Sequence, residues 1–130
     1  MKKEYQSYMY LTFRVLVGLG FFLHGGQKLF GWFGGPGFSA LSGNFMFAGI
    51  VELITGLLIV VGFFTSISAI FGAIVMIGAW VIVHGKEGIN PLTNGGELAM
   101  IYFAAFLVLI AYGAGKWSLE KTMMKKELLH

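Results

Sequence analysis

This chain of 130 residues has no cysteine and few charged residues. Without cysteine it can form no disulfide, no thiolate metal site and no thiol redox centre of its own. Charged side chains make up 12% of the residues, whereas an average soluble domain has about 25%. Hydrophobic residues make up 57%, and the mean hydropathy is +0.79. These values predict an integral membrane protein with a single domain, residues 1–130.

The chain also lacks the features of a cleaved signal peptide and of a nucleic-acid-binding protein. Its first apolar run is too long for a signal peptide and has no small-residue cleavage site, so we expect it to remain as a helix. The net charge is +3, but the basic residues lie mainly at the two ends, where membrane proteins place their anchors. The expected partners of these lysines are therefore membrane lipids, and no nucleic acid.

Four apolar segments predict four membrane-spanning helices, since roughly 20 residues cross a bilayer core. The predicted fold is an all-α integral membrane bundle with helices at about 8–30, 44–62, 66–83 and 97–112, and a cytosolic tail at 113–130. Both ends are rich in lysine and the loop at 31–43 is uncharged, so the positive-inside rule places both termini in the cytoplasm. The expected location is the cell membrane, crossed several times.

Polar side chains in the predicted helices are few, and most fall in one half of the bundle. A charged group at the bilayer centre costs about 2.5–3.5 kcal/mol or more, so such groups normally face a bundle interior. We therefore expect these side chains to meet there, under the loops 31–43 and 85–96. They are His24, Gln27, Lys28, Glu52, His84 and Glu97.

Stripes of small and charged residues predict which helix faces pack together. Arg14, Gly18, Phe21, Gly25 and Lys28 follow one another at spacings of four and three, which is typical of a face that contacts protein. In the second helix Gly49, Glu52 and Gly56 share a face, and in the third Ala69 and Ala73 form a small-residue pair. Tyr102 and Trp80 are interpreted as packing residues.

Three stretches of the chain resemble the DoxX family. They are HGGQKLFGWFGGPGF, GIVELITGLLIVVGFFT and GGELAMIYFAAFLVLIAYGAGKWSLE, and they cover most of the chain in the order typical of the family. The resemblance implies a small four-helix membrane protein associated with a membrane redox system. Some relatives are described as parts of quinol-linked or thiosulfate–quinone oxidoreductases, others as the membrane partner in a thiol-handling complex.

The family positions that carry over to this sequence lie in three of the four predicted helices and at one helix end. A departure is Gly113-Ala114-Gly115, where relatives often have Gly-Pro-Gly. Because the chain lacks cysteine, any thiol role depends on a partner. The positions are Arg14, His24, Lys28, Glu52, Gly56, Gly62 and Glu97.

The functional hypothesis is an accessory subunit of a membrane oxidoreductase, with a quinone as candidate cofactor, a redox protein as partner and a homo-oligomer as an expected assembly. Glu52 and His24 are candidate catalytic residues, because a carboxyl group and an imidazole can accept protons or bind a quinone head group. The candidate ligand-binding residues are Lys28, Gln27, Glu97, Arg14 and His84.

A structural interpretation stays open beside this hypothesis. Glu52 could form an ion pair with Arg14 or Lys28 that fixes only the helix register, and the protein would then be a membrane adaptor or assembly factor. A transporter and a mixed site of histidines and carboxylates for a metal are further alternatives, and no residue is assigned as a metal ligand.

Overall fold

The computed structural model describes residues 1–37 and 42–124. Within these ranges the chain is helical and contains no strand, which confirms the all-α prediction. The helices are α1 Lys3–Phe30, α2 Gly43–Val61, α3 Thr65–Gly78, α4 Pro91–Asn94, α5 Glu97–Tyr112 and α6 Leu119–Met124. A π-helical turn, Ala79–Val83, and a 3-10 turn, His84–Glu87, continue α3, and a separate 3-10 turn, Trp32–Gly34, follows α1.

Three of the described helices are long and apolar enough to cross a membrane. They are Lys3–Phe30, Gly43–Val61 and the extended third helix Thr65–Glu87. The fourth apolar helix, α5, has 16 residues. It rises about 24 Å, less than the about 30 Å of a bilayer core, so a crossing by α5 requires its flanking residues or local thinning. The fourth crossing remains a prediction.

Glycines bring α1 and α2 into direct backbone contact. A Cβ added to Gly25 would lie 2.4 Å from the backbone nitrogen of Leu53, and one added to Gly56 would lie 2.4 Å from that of Phe22. No side chain fits between helices at that separation, so both glycines are required by the packing. The predicted packing face of α1 is confirmed, since Arg14 and Gly18 on the same stripe are also buried.

We expect Gly25→Ala to destabilise the protein, whereas Gly78→Ala stabilises it slightly. Alanine is the better helix former by about 1 kcal/mol, and nothing lies within 4 Å of a Cβ added to helical Gly78. At Gly25 the added methyl overlaps α2, and overpacking typically costs about 1–3 kcal/mol. Thermal unfolding of both variants in one detergent measures the difference. Equal melting temperatures would contradict the close contact.

The apolar core lies where four helices meet. Phe21 of α1 packs edge-on against Phe106 of α5, with ring centroids 4.8 Å apart. Ala69 and Ala73 of α3 are buried in the same cluster, as their small-residue spacing predicted. The core thus joins α5 to α1 through aromatic side chains, and α3 contributes small residues to it.

The segment after α5 packs against the start of α1. The Tyr10 hydroxyl donates a hydrogen bond of 2.5 Å to the carbonyl of Gly113, and the ring of Tyr8 stacks on Trp117 at 5.9 Å between centroids. Buried Ala114 and Ser118 also attach this segment to the bundle, and its cytosolic location stays a prediction. Lys125 and the residues after it lie outside the described ranges.

Cysteine labelling tests the predicted topology without background, since the chain has no cysteine of its own. Single cysteines can be introduced at four exposed positions, Lys3, Gly43, Ile89 and Met123. With an impermeant thiol reagent on intact cells, we expect labelling at positions 43 and 89 only. Labelling at positions 3 and 123 instead would place both termini outside.

Candidate functional site

An ion pair between α1 and α2 forms the centre of the site. The Lys28 Nζ atom lies 2.9 Å from Oε1 of Glu52. Glu52 is 2% exposed and sits in the middle of α2, whereas the Lys28 side chain is 23% exposed and sits in the last turn of α1. The predicted contact between these two residues is confirmed, and the cationic partner of Glu52 is Lys28, not Arg14.

The close helix contact explains why this pair forms. A Cβ on Gly49 would lie 3.1 Å from Cβ of Lys28, so the two backbones approach one turn away from Glu52. At this separation the long lysine side chain can reach along α2 to the carboxylate. Among the described residues Lys28 is the only hydrogen-bond partner of that carboxylate.

A polar cavity of about 250 Å³ opens beside the ion pair. The ring of His24 lies edge-to-face on that of Tyr102, with centroids 5.8 Å apart. Neither the His24 ring nitrogens nor the Tyr102 hydroxyl has a hydrogen-bond partner in the described part of the chain. The ring nitrogens of His24 are therefore available to a bound molecule, whereas the Tyr102 hydroxyl lies against Gly20 of α1. The polar side chains lining the cavity are His24, Lys28, Glu52, His84 and Tyr102.

The loop after α3 folds over one end of this cavity. His84 Nδ1 lies 3.2 Å from the carbonyl oxygen of Asn94, so that nitrogen carries the proton and donates. Asn94 is buried; its side-chain amide donates to Gly88, and its side-chain oxygen accepts from the backbone of Gly96 at 2.7 Å. These bonds hold the loop, with Gly95 contributing to the cavity wall.

Glu97 and Gln27 are not brought into the cavity. Glu97 is exposed in the first turn of α5 and has no hydrogen-bond partner among the described residues, whereas Tyr102 of the same helix lines the cavity. In that turn its charge complements the helix dipole. Gln27 packs against the backbone of Gly35, on a different side of α1.

Arg14 lies at the opposite end of the bundle and acts as a structural anchor. It is 2% exposed and donates to the carbonyls of Ile59 at 2.9 Å, Val60 at 3.2 Å, Ala114 at 2.5 Å and Trp117 at 2.8 Å. Its guanidinium thus ties the end of α2 to the segment after α5. Its predicted ligand-binding role finds no support in this position.

Two residues of importance escape the sequence pattern. Tyr102 was assigned to packing, but its side chain also lines the cavity, and a tyrosine in an otherwise apolar helix is the signal that could have identified it. Glu120 is 2% exposed and its carboxylate accepts a 2.9 Å bond from the backbone nitrogen of Phe64. It caps the start of α3, a role that its place in a lysine-rich tail did not indicate.

The described residues contain no group of three histidine, cysteine, aspartate or glutamate side chains that could hold a metal ion. The mixed histidine and carboxylate site required Glu97 together with Glu52, and these two residues do not face one another. The structure therefore gives no support to the metal alternative.

The comparisons with known proteins agree with the helical membrane architecture. The DoxX family model matches residues 9–85, which cover most of α1 and the whole of α2 and α3. An uncharacterized protein of Haemophilus influenzae is 31% identical over 95% of this chain and 97% of its own length. A second uncharacterized protein of the same organism is 41% identical over 58% of this chain and 49% of its own length. An uncharacterized membrane protein of Mycobacterium tuberculosis is 27% identical over 89% of this chain and 82% of its own length.

No solved structure matches the chain. The family match spans more than half of the sequence and includes Arg14, His24, Lys28 and Glu52, and the relative from Haemophilus influenzae covers nearly the whole of it. This protein is a membrane protein that belongs to the DoxX family.

Proposed function

We propose that this protein binds the head group of a quinone-type molecule beside the Lys28–Glu52 ion pair, as a small subunit of a membrane redox system in the cell membrane. The observation that carries the proposal is the position of the pair. It lines a cavity that the rings of His24 and Tyr102 also line, and the His24 ring nitrogens have no hydrogen-bond partner among the described residues.

The donors in the cavity suit a ligand with carbonyl acceptors. A lysine ammonium has three N–H donors, and Glu52 takes one of them in this structure, which leaves two for a ligand. His24 supplies a further donor or acceptor. The rings of Phe21 and Tyr102 flank the same space and provide an aromatic wall for a flat head group. A volume of about 250 Å³ lies just below the range of about 300–1,000 Å³ for ligand pockets, which suits a head group without its chain.

The same residues are suited to proton exchange. Reduction of a quinone takes up two electrons and two protons, and oxidation of the quinol releases them. Glu52 and His24 can accept or supply protons at the ligand oxygen atoms, and His84 lines the cavity where the loop covers it. The electrons would pass to or from a redox group of a partner protein.

One observation favours the adaptor alternative. Lys28 and Glu52 already satisfy each other's charge at 2.9 Å without any ligand. In a purely structural site this pair would fix the register of α1 on α2, and the protein would act by docking a partner. Ligand binding distinguishes the two functions directly.

We expect the purified protein in detergent to bind a chain-free, fully substituted benzoquinone saturably in calorimetric titration. His24→Gln should weaken binding about tenfold, the equivalent of one hydrogen bond of about 1.4 kcal/mol. Thr12→Val, at an exposed position earlier on α1, serves as the control and should bind as the native chain does. Absence of saturable binding by the native chain would refute the proposal.

A further inference from the structure

We propose that the groove between α2 and α3 holds the hydrocarbon chain of the same ligand, which enters sideways from the bilayer. This inference rests on the proposed function, because it requires a ligand whose head group occupies the polar cavity. It adds the class of molecule, a membrane-dissolved amphiphile, and the route by which that molecule arrives.

The groove is an apolar space of about 330 Å³. Phe47 and Ala48 of α2 form one wall, and Ile74 and Gly78 of α3 with Ile82 of the π-helical turn form the other. The charged side chains lining it are Lys28 and Glu52. A molecule in the groove would therefore contact apolar side chains along most of its length and charged side chains only at the ion pair.

The groove and the polar cavity share part of their walls. Both are lined by Lys28, Glu52, Met76 and Ala79, so the ion pair borders the two spaces at once. A ligand that contacts the pair from both sides has a polar end toward His24 and an apolar end between α2 and α3. This arrangement fits a head group with an attached chain better than a compact polar metabolite.

The outer edge of the groove lies on the surface that faces lipid. Phe47 is 63% exposed, Ile74 57% and Ile82 49%, and all three belong to helices long and apolar enough to span a membrane. Exposed apolar side chains on membrane-spanning helices contact the hydrocarbon chains of lipids. The groove therefore opens toward the bilayer, where a long-chain ligand is dissolved.

Two backbone features create this space. Gly78 has nothing within 4 Å of an added Cβ, so the absence of a side chain leaves part of the groove open. The π-helical turn Ala79–Val83 begins directly after it, and such turns widen a helix locally and are frequent at functional sites. A single hydrocarbon chain fits a space of about 330 Å³. A helix of a second copy is about 10 Å wide and would not fit.

The test compares one quinone head group with and without a ten-carbon chain, in one detergent. We expect the native protein to bind the quinone that carries the hydrocarbon chain at least about tenfold more tightly than the quinone without it. Gly78→Phe fills the groove from α3 at a helical position without strain, and Ala48→Leu narrows it from α2. Both substitutions should abolish most of the gain in affinity that the hydrocarbon chain provides and leave the affinity for the chain-free quinone unchanged.

Ala104→Phe is the matched control, since Ala104 is an exposed helical residue of α5 outside the groove. This variant should keep the full gain in affinity that the hydrocarbon chain of the quinone provides. If the chain-free form binds but the chain adds nothing, or if Gly78→Phe and Ala48→Leu keep its advantage, the groove assignment is overturned and the head-group site stands. If neither form binds to the native chain, both proposals fail. A change of oligomeric mass in Gly78→Phe with the chain's advantage intact would assign the groove to a second copy.

Discussion

Glu52→Gln is expected to abolish quinone binding and to lower the free energy of unfolding by about 3 kcal/mol. The substitution leaves the ammonium of Lys28 without the carboxylate that lies 2.9 Å away. Breaking a buried pair in this way costs about 3–5 kcal/mol, and the lower value applies because Lys28 keeps 23% of its side chain exposed. Thermal unfolding in detergent and calorimetric titration of the folded protein measure the two effects separately.

Combining this change with Lys28→Met separates structure from function. Removing both charges leaves no unpaired ion in the bundle, so we expect the double variant to recover about 2 kcal/mol relative to Glu52→Gln. Binding should remain absent, because neither the ammonium donors nor the carboxylate are present. The difference between the double variant and the two single variants gives the coupling energy of the pair.

The opposite result would identify Glu52 as structural. If the double variant binds the quinone as the native chain does, the ion pair contributes only to helix register, and the adaptor alternative is favoured. If Glu52→Gln alone melts at the native temperature, the ion pair contributes little to the free energy of unfolding.

Arg14→Leu is expected to lower the free energy of unfolding by about 3–5 kcal/mol, since it removes the buried guanidinium that donates to four carbonyl oxygens. The guanidinium serves the last turn of α2 and the segment after α5 at once. Its loss should therefore also release that segment, and trypsin should cleave after Lys116 and Lys121 faster than in the native chain. Thermal unfolding and limited proteolysis provide the measurements.

Arg14→Lys is the conservative comparison. It keeps the positive charge, but an ammonium has three donors at one point in place of a planar fork with five. We expect it to recover only part of the lost stability and to leave cleavage faster than in the native chain. Full recovery by lysine would show that charge alone, and not the fork of donors, holds the two segments together.

The sequence by itself predicted the class of protein and the helices well. Low charge and long apolar runs indicate a membrane protein, and helix lengths follow from apolar segments because both are local properties. The packing stripe from Arg14 to Gly25 was also readable, because residues at spacings of three and four share one helix face. The first helix nevertheless starts at Lys3, because its polar first turn is helical as well.

The site was predictable only in part. The spacing of His24 and Lys28 places them on one face of α1, and the depth of Glu52 in α2 indicates that it needs a partner. The sequence could not decide whether that partner is Arg14 or Lys28, since both are cations on the same stripe. It also could not show that Glu97 faces outward. Its position at the start of α5 indicates how deep the residue lies in the membrane but not which way its side chain points.

The sequence alone determined that this chain is a helical membrane protein with polar groups inside its first two helices. The tertiary structure decided that Lys28 pairs with Glu52, that Tyr102 shares their cavity, and that Arg14 holds the far end of the bundle. The physical reason is that periodicity fixes the face of one helix, whereas contacts depend on how two helices approach. That approach is set here by Gly25 and Gly56, where the backbones of α1 and α2 touch.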